Sequence, residues 1–439
     1  MEQNKEVAPW DVVVIGAGIA GLTASIYLAR AGQKVLLLDK GAQPGGRAAT
    51  QAIADARVNL GAHALYKSTL PILREVGVTP TGASPKPTSA FVFRGLDGKD
   101  EAVPFFKLLL GSFLKWSEKT ELIRFYAGIR KTDTSALSDV SLQSYLETHI
   151  SSPRVRDIAL ALVRVSTYCH APALLSAGAV LEQLKQAQVL YVNEGWQTLV
   201  NQLTEQAKLA GVTIRSQVLA REIAGAYPQM TVILKDGERL SARRVLSTAG
   251  PADTLVLLNP ALLPAEAASY ERLVPVRAAC LDLVVSGLPQ PRTKFALGAD
   301  SPLYYSNHSA VASFTDNPKH AVVHLMKYLS PTQNSDAAQD ERELESFLDL
   351  LQPGWRDYVI QRRYLPRMLV SHAIVTAADG GLAGRPGPIV EGRTGLYVAG
   401  DWVGSEGILL NASLTSAKAA AQCIITHIEQ GQEGNYLGA

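Results

Sequence analysis

Cysteine is scarce: three in 439 residues, Cys169, Cys280 and Cys423, with no C-x-x-C spacing. That excludes a disulfide framework and a thiolate zinc site, and it suits a reducing, cytoplasmic compartment. No H-E-x-x-H pair occurs among the eight histidines, so no metal is expected. An excess of either charge is missing too. Lys and Arg number 42 against 40 Asp and Glu, a formal net charge of +2, which leaves no polyanion footprint and excludes nucleic acid as an expected partner. The strongest apolar run, residues 12–40, is interrupted by Arg30, Lys34, Asp39 and Lys40 before the roughly 20 apolar residues of a membrane span accumulate. Glu2, Glu6 and Asp11 precede it where a signal peptide would be basic. Internal repeats and low-complexity segments are also absent.

What is present is concentrated first in that same run, VVVIGAGIAGLTASIYLARAGQKVLLLDK. Val12 to Ile15 is β-branched and unbroken, the pattern of a strand buried on both faces of a parallel sheet. Gly16, Gly18 and Gly21 follow at G-x-G-x-x-G spacing, with Ile19 and Ala20 between the last two. Leu22 to Ala31 reads as helix and Val35 to Leu38 as a second buried strand. In such a unit the first glycine allows the tight turn, the second lets backbone approach a pyrophosphate at the helix N-terminus, and the third lets helix and strand pack closely. Asp39, 18 residues after Gly21 and followed by Lys40, stands where a carboxylate accepts hydrogen bonds from a ribose diol. Strand, helix, second strand and terminal acid agree on an α/β dinucleotide-binding unit.

Beyond it, KGAQPGGRAAT (40–50) places Gly45, Gly46 and Arg47 in one loop. A glycine pair lets backbone lie against a flat or anionic ligand, and arginine answers phosphate with several donors. VNLGAHAL (58–65) brings Gly61, Ala62 and His63. Near the C-terminus, TGLYVAGDWVGSEGILLNASLTSAKAAAQCI (394–424) reads as a buried strand, Leu396 to Ala399, ended by Gly400 and Asp401, and then an Ala-rich helix from Ala412 to Ile425.

These four stretches, in this order, resemble the flavin-dependent amine oxidase and phytoene desaturase superfamily. YVNEGWQTLVNQLTEQAKLAGVTIRSQVLAREI (191–223) is similar to the family's middle FAD segment, and GGLAGRP (380–386) leans towards the desaturase-like branch. The resemblance implies an α/β fold, a Rossmann-like FAD-binding domain of glutathione-reductase type with an inserted α+β substrate domain. It implies that Gly16, Gly18 and Gly21 hold the pyrophosphate and Asp39 the adenosine ribose. Gly46 and Arg47 would lie along the diphosphate and ribityl chain, and Gly61, Ala62 and His63 beside the flavin ring. Backbone at Ala220 would meet adenine. Gly400 and Asp401 would reach the diphosphate and ribityl end, while Leu410, Asn411 and Ala412 would pass under the pyrimidine edge with the following helix aimed at it. Cys423 falls well inside that helix, so the FAD is expected to be noncovalent.

The implied domain organisation is discontinuous: 1–67, 190–265 and 381–439 form the FAD-binding domain, 68–189 and 266–380 the substrate domain. Residues 68 to about 190 read mostly helical, including 105–126 and 153–184. Phe105, Phe106, Leu108 to Leu110, Phe113, Leu114 and Trp116 invite comparison with a membrane-dipping face, but a helix packed on its own domain is the preferred reading. No second G-x-G-x-x-G occurs between residues 67 and 380, so the electrons are expected to come from an organic substrate rather than a nicotinamide. No catalytic residue is named by the sequence. The candidates are His63, Tyr305 with Tyr304, His308, His372 and Trp402. The expected activity is an FAD-dependent dehydrogenase, desaturase or oxidase acting on a largely apolar or mixed small molecule. Trp402 and Tyr305 are the aromatic candidates for an amine or amino-acid oxidase, the main alternative. A lipid or prenyl carrier of the same fold is a third class, against which the intact ribose carboxylate speaks.

Overall fold

The run Val12 to Ile15 has no polar residue to turn outward, and the chain buries both of its faces. The computed structural model describes residues 9–60, 64–85, 89–94, 100–258 and 263–430. In it the strand Trp10–Ile15 lies inside a seven-stranded sheet, flanked in parallel by Val35–Leu38 and Arg239–Ser247. Alternate side chains divide between two cores. Val12, Val14, Val35 and Leu37 join the cluster under the helices Ile19–Arg30, Gln197–Leu209 and Leu410–Gln430, while Val13, Ile15, Leu36 and Leu38 join a second cluster with Val232, Val398 and Trp402. Thr213–Arg215 extends this sheet beyond Val35–Leu38 in parallel, and Leu396–Val398 pairs in parallel with Arg239–Ser247. On the other side Gln229–Leu234 and Ala220–Ala226 continue it antiparallel.

A second seven-stranded sheet takes its strands from other parts of the chain. Its order is Val359–Ser371, Val276–Val285, Ala321–Tyr328, Leu303–Asn307, Phe295–Gly298, Ser89–Arg94 and Asp100–Pro104, all antiparallel except the pair Phe295–Gly298 with Ser89–Arg94. One face is covered by the helix Ala337–Leu351. The other meets the helices Trp116–Ile129, Leu142–His149, Pro153–Thr167 and Ala177–Lys185.

Two helical stretches differ from the sequence expectation. Residues 105–126 are not one helix: Phe105–Leu110 stops at Gly111, whose extended backbone breaks the run, and a new helix starts at Trp116. Residues 153–184 divide likewise, because Tyr168 turns left-handed (φ 58°) and Pro172 follows before Ala177–Lys185 begins. The last helix begins at Leu410, two residues earlier than the sequence suggests.

Candidate active site

The glycine turn leaves no room for side chains at two of its three positions. Gly16 has φ +103°, donates its N–H to Leu38 C=O at 2.7 Å, and a Cβ there would meet Thr248 Oγ1 at 2.7 Å. A Cβ on Gly21 would lie 1.9 Å from Gly16 C=O, so helix and strand approach to a distance only glycine permits. Gly18 differs: nothing lies within 4 Å of a Cβ there. It precedes the helix Ile19–Arg30, whose first turn has neither a side-chain cap nor an acidic residue. Those first amides therefore lack a side-chain acceptor and suit an anion.

At the end of the neighbouring strand the Asp39 carboxylate is held by backbone donors. Ala17 N–H gives to Oδ2 at 2.6 Å and Gly41 N–H to Oδ1 at 2.7 Å, which orients both oxygens while each keeps a further lone pair. Lys40 reaches Asp253 at 3.4 Å between largely exposed side chains, a contact that contributes little.

A tighter cluster lies where the loop 45–47 meets the C-terminal strand. Arg47 donates to both oxygens of Asp401, Nη1 to Oδ2 at 2.6 Å and Nη2 to Oδ1 at 2.9 Å, and Nη1 also reaches Val370 C=O. The backbone N–H of His372 gives to Asp401 Oδ2 at 3.1 Å. Its Nδ1 lies 2.9 Å from Asp401 Oδ1 and 3.0 Å from Arg47 Nη2, donating to the first or accepting from the second according to tautomer. Burial alone would raise the Asp401 carboxyl, but the Arg47 charge and the hydrogen bonds from His372 and Arg47 outweigh it, leaving the acid well below the usual range. The same partner raises Arg47 against its own desolvation. Arg385, lowered to about 10 by burial, donates to the carbonyls of Asp401, Glu406 and Gly407 and so fixes the loop after the acid.

These groups border one cavity of about 790 Å³, within the range of cofactor sites. Of the residues singled out in the sequence, its wall includes Gly16, Gly18, Ile19, Ala20, Asp39, Lys40, Gly45, Gly46, Arg47, Ala220, Gly400, Asp401, Leu410 and, among the catalytic candidates, His372. The wall also includes Val218 and Arg221 beside Ala220, and Tyr66, Tyr168, Trp196, Leu369, Val370 and Leu409, none of them singled out by the sequence. Tyr66 donates to Ser166 C=O at 2.9 Å, and burial pushes its phenol up to about 12. Leu409 adopts φ +56°, a strained conformation for leucine, immediately before the last helix.

Other candidates do not line this wall. Trp402 is wholly buried behind it, giving its indole N–H to Ala249 C=O at 3.1 Å and packing edge-on to Tyr270. Tyr305 is also wholly buried, on the far face of the second sheet, with its hydroxyl bonded to Thr293 C=O and Gln352. His308 stacks among His324, Tyr191 and Phe314, and Tyr304 packs beside it. Among the implied cofactor residues, Gly21 serves packing, Asn411 gives its amide to Ser68 Oγ at 2.7 Å, and Ala412 is fully buried. Gly61, Ala62 and His63 lie outside the described residues. His320 and His324 stand four apart, yet each faces its own aspartate, Asp55 at 2.9 Å and Asp282 at 2.6 Å. No group of three metal-binding side chains forms among the described residues.

Three comparisons bear on this geometry. A family profile described as flavin containing amine oxidoreductase matches residues 19–425. A limonene dehydrogenase component from Castellaniella defragrans is 44% identical over 80 residues, which are 18% of this chain and only 14% of that protein. (S)-6-hydroxynicotine oxidase from Paenarthrobacter nicotinovorans is 26% identical over 274 residues, 58% of this chain and 63% of that one. An oxidoreductase from Methanosarcina mazei superposes with a TM-score of 0.75 at 18% identity, covering 94% of this chain and 99% of its own.

Proposed function

Because the chain belongs to the flavin containing amine oxidoreductase family, we propose that it is an FAD-dependent oxidoreductase removing two hydrogens from a largely apolar or mixed small organic molecule. The observation that carries this reading is that one cavity is bordered both by a glycine turn with an oriented carboxylate and by aromatic and aliphatic side chains. The glycine turn fits the group: Gly18 has open space where a Cβ would stand, and the helix behind it has uncapped amides. Asp39 would accept the ribose hydroxyls. Arg47, aimed by Asp401, would lie along the diphosphate and ribityl chain. Bound there, FAD supplies a two-electron acceptor that takes hydride at N5 and passes electrons to oxygen or another acceptor.

The remaining work falls to the chain itself. Leu369, Val370 and Leu409 present an apolar wall that excludes water, and substrate affinity against it comes mainly from buried area, at about 25 cal/mol per Å². In this reading the first sheet and its helices form the FAD-binding domain, and the second sheet with the helices on it forms the substrate domain.

A second reading has an observation in its favour. Tyr66, Tyr168 and Trp196 line the wall, and aromatic surfaces suit the flanks of an amine, so an amine or amino-acid oxidase activity is the alternative. A carrier without redox chemistry has no use for the Asp39 and Arg47–Asp401 arrangement. The two enzyme readings separate in an anaerobic substrate panel on the purified yellow protein. Bleaching by apolar ring or polyene compounds, with little by primary amines or amino acids, is the expected result. Fast bleaching by amines with ammonia released on reoxidation would transfer the assignment to the alternative, and a colourless protein would restore the carrier.

A further inference from the structure

The histidine in the cavity wall is held at one end only. His372 gives its backbone N–H to Asp401 Oδ2 at 3.1 Å, and its Nδ1 lies 2.9 Å from Asp401 Oδ1 and 3.0 Å from Arg47 Nη2. Nε2, at the other end of the ring, makes no hydrogen bond among the described residues and is not enclosed by them, and the side chain, which lines the cavity, is 21% exposed. A polar atom fixed from behind and left open in front is arranged to meet a ligand. The backbone beside Nε2 identifies the part of the cavity. A Cβ on Gly250 would stand 2.4 Å from it, and Gly250 follows Thr248, whose Oγ1 donates to Gly16 C=O at 2.9 Å. Gly16, Gly18, Thr248, Ala249, Gly250 and His372 all border the same cavity, so the ring adjoins the glycine turn through residues 248–250.

Charge decides which ligand suits it. Both Nη atoms of Arg47 are committed to Asp401, so that pair carries no net charge. Arg385 is spent on the carbonyls of Asp401, Glu406 and Gly407, and Arg277, on the strand beside Val359–Ser371, reaches Arg367 C=O. The other charged side chains of the wall are Asp39, Lys40, Arg221, Lys235 and Asp253, and His372 is its one imidazole among the described residues. Asp401 draws a proton onto the ring and Arg47 opposes it. A diphosphate beside Nε2 adds negative charge on the open side and tips that balance towards the imidazolium, whose two N–H groups then serve Asp401 and the ligand. We propose that His372 is a ligand of the FAD diphosphate, donating from Nε2, and that its protonation holds the cofactor more tightly in mildly acid than in mildly alkaline solution. The inference rests on the flavin reading and adds to it a titratable group at the diphosphate. Its sign follows from linkage: the ring takes up a proton with the cofactor, so affinity is greatest at low pH and falls as pH rises through the range in which the complex loses that proton.

The test starts from the purified holoprotein, diluted at about pH 5 and at about pH 8, with the freed FAD measured in the ultrafiltrate. Kd is expected to be about tenfold higher at the alkaline end. In phosphorus NMR of the same holoprotein, the diphosphate resonances are expected to titrate across that range. H372Q keeps a neutral N–H donor in place of Nε2, so it should bind FAD with the weaker affinity at both ends and lose the pH dependence of both measurements. FAD retention and phosphorus resonances that stay constant with pH in the wild type overturn the proposal and leave the flavin reading intact. So does a pH dependence that H372Q retains. A wild-type protein that holds no FAD at any pH overturns the proposal and the flavin reading together. Should H372Q fail to fold, the wild-type phosphorus titration decides.

Discussion

Arg47 and Asp401, 354 positions apart in the chain, are joined by two N–H···O bonds of 2.6 and 2.9 Å in the cavity wall. The pair connects the loop after the first βαβ unit to the strand that begins the last helix, with His372 from a third segment closing it. Asp401→Asn removes the charge and leaves Arg47 facing an amide. Since the Arg47 side chain is 36% exposed, the loss is discounted from that of a fully buried pair, to about 2 kcal/mol, readable in urea unfolding. Wild-type stability at this linkage also has a defined pH sense. A carboxyl lowered by folding contributes above its unfolded pKa and loses that contribution as pH falls through the folded value. The loss therefore lies below the ordinary carboxylate range. Unfolding measured from neutral to strongly acid pH is expected to show a wild-type decline at the acid end that Asp401→Asn flattens.

If Asp39 holds the ribose as proposed, Asp39→Ala deletes one or two charge-assisted hydrogen bonds, each about 1.5–3 kcal/mol, so flavin content after purification should drop by an order of magnitude or more. Equal content in variant and wild type would show that the ribose sits elsewhere.

Gly250 has an ordinary backbone conformation, yet a Cβ there would stand 2.4 Å from His372 Nε2. Gly250→Ala is expected to displace the imidazole at a cost of about 1–3 kcal/mol from overpacking and to loosen Asp401. The double variant G250A/H372A should recover part of that loss. A strictly additive cycle in thermal unfolding would show that the two residues do not press on each other.

With one dinucleotide-binding glycine motif in the sequence, NADH and NADPH are expected to reduce the flavin only slowly in anaerobic stopped-flow, while a true substrate bleaches it quickly. Rapid bleaching by NADPH alone would make the protein a nicotinamide-fed reductase or monooxygenase.

The part of the site legible in the sequence is the part built from local chain. Gly16, Gly18, Gly21 and Asp39 belong to one strand, turn, helix and strand, where spacing and hydrophobic period suffice. Which of the other candidates reach the wall resisted reading because strand register decides where a side chain points. Tyr304 and Tyr305 are neighbours on the strand Leu303–Asn307, and the pleat sends Tyr304 into the cluster shared with Tyr168, and Tyr305 to the opposite face under the helix Ala337–Leu351. Nothing local chooses between them. Trp402 stands beside Asp401 for the same reason on the other side of the wall: the turn that presents the acid to the cavity sends the indole into the core. Tyr66, Tyr168, Val370 and His372 come from a short strand, a helix end and the end of a long strand, segments with no motif that only the tertiary fold brings together.

Leu369, Val370 and His372 come from the end of the second sheet, whereas Gly16, Asp39 and Asp401 sit on the first, so a ligand filling the cavity touches both. Such a ligand acts as mortar as well as reagent. Free flavin in excess of its dissociation constant stabilises the whole chain by mass action, about 2.7 kcal/mol at a hundredfold excess. Protein freed of flavin should therefore unfold at a lower temperature, and be cleaved faster by added protease, than the same protein with flavin in excess.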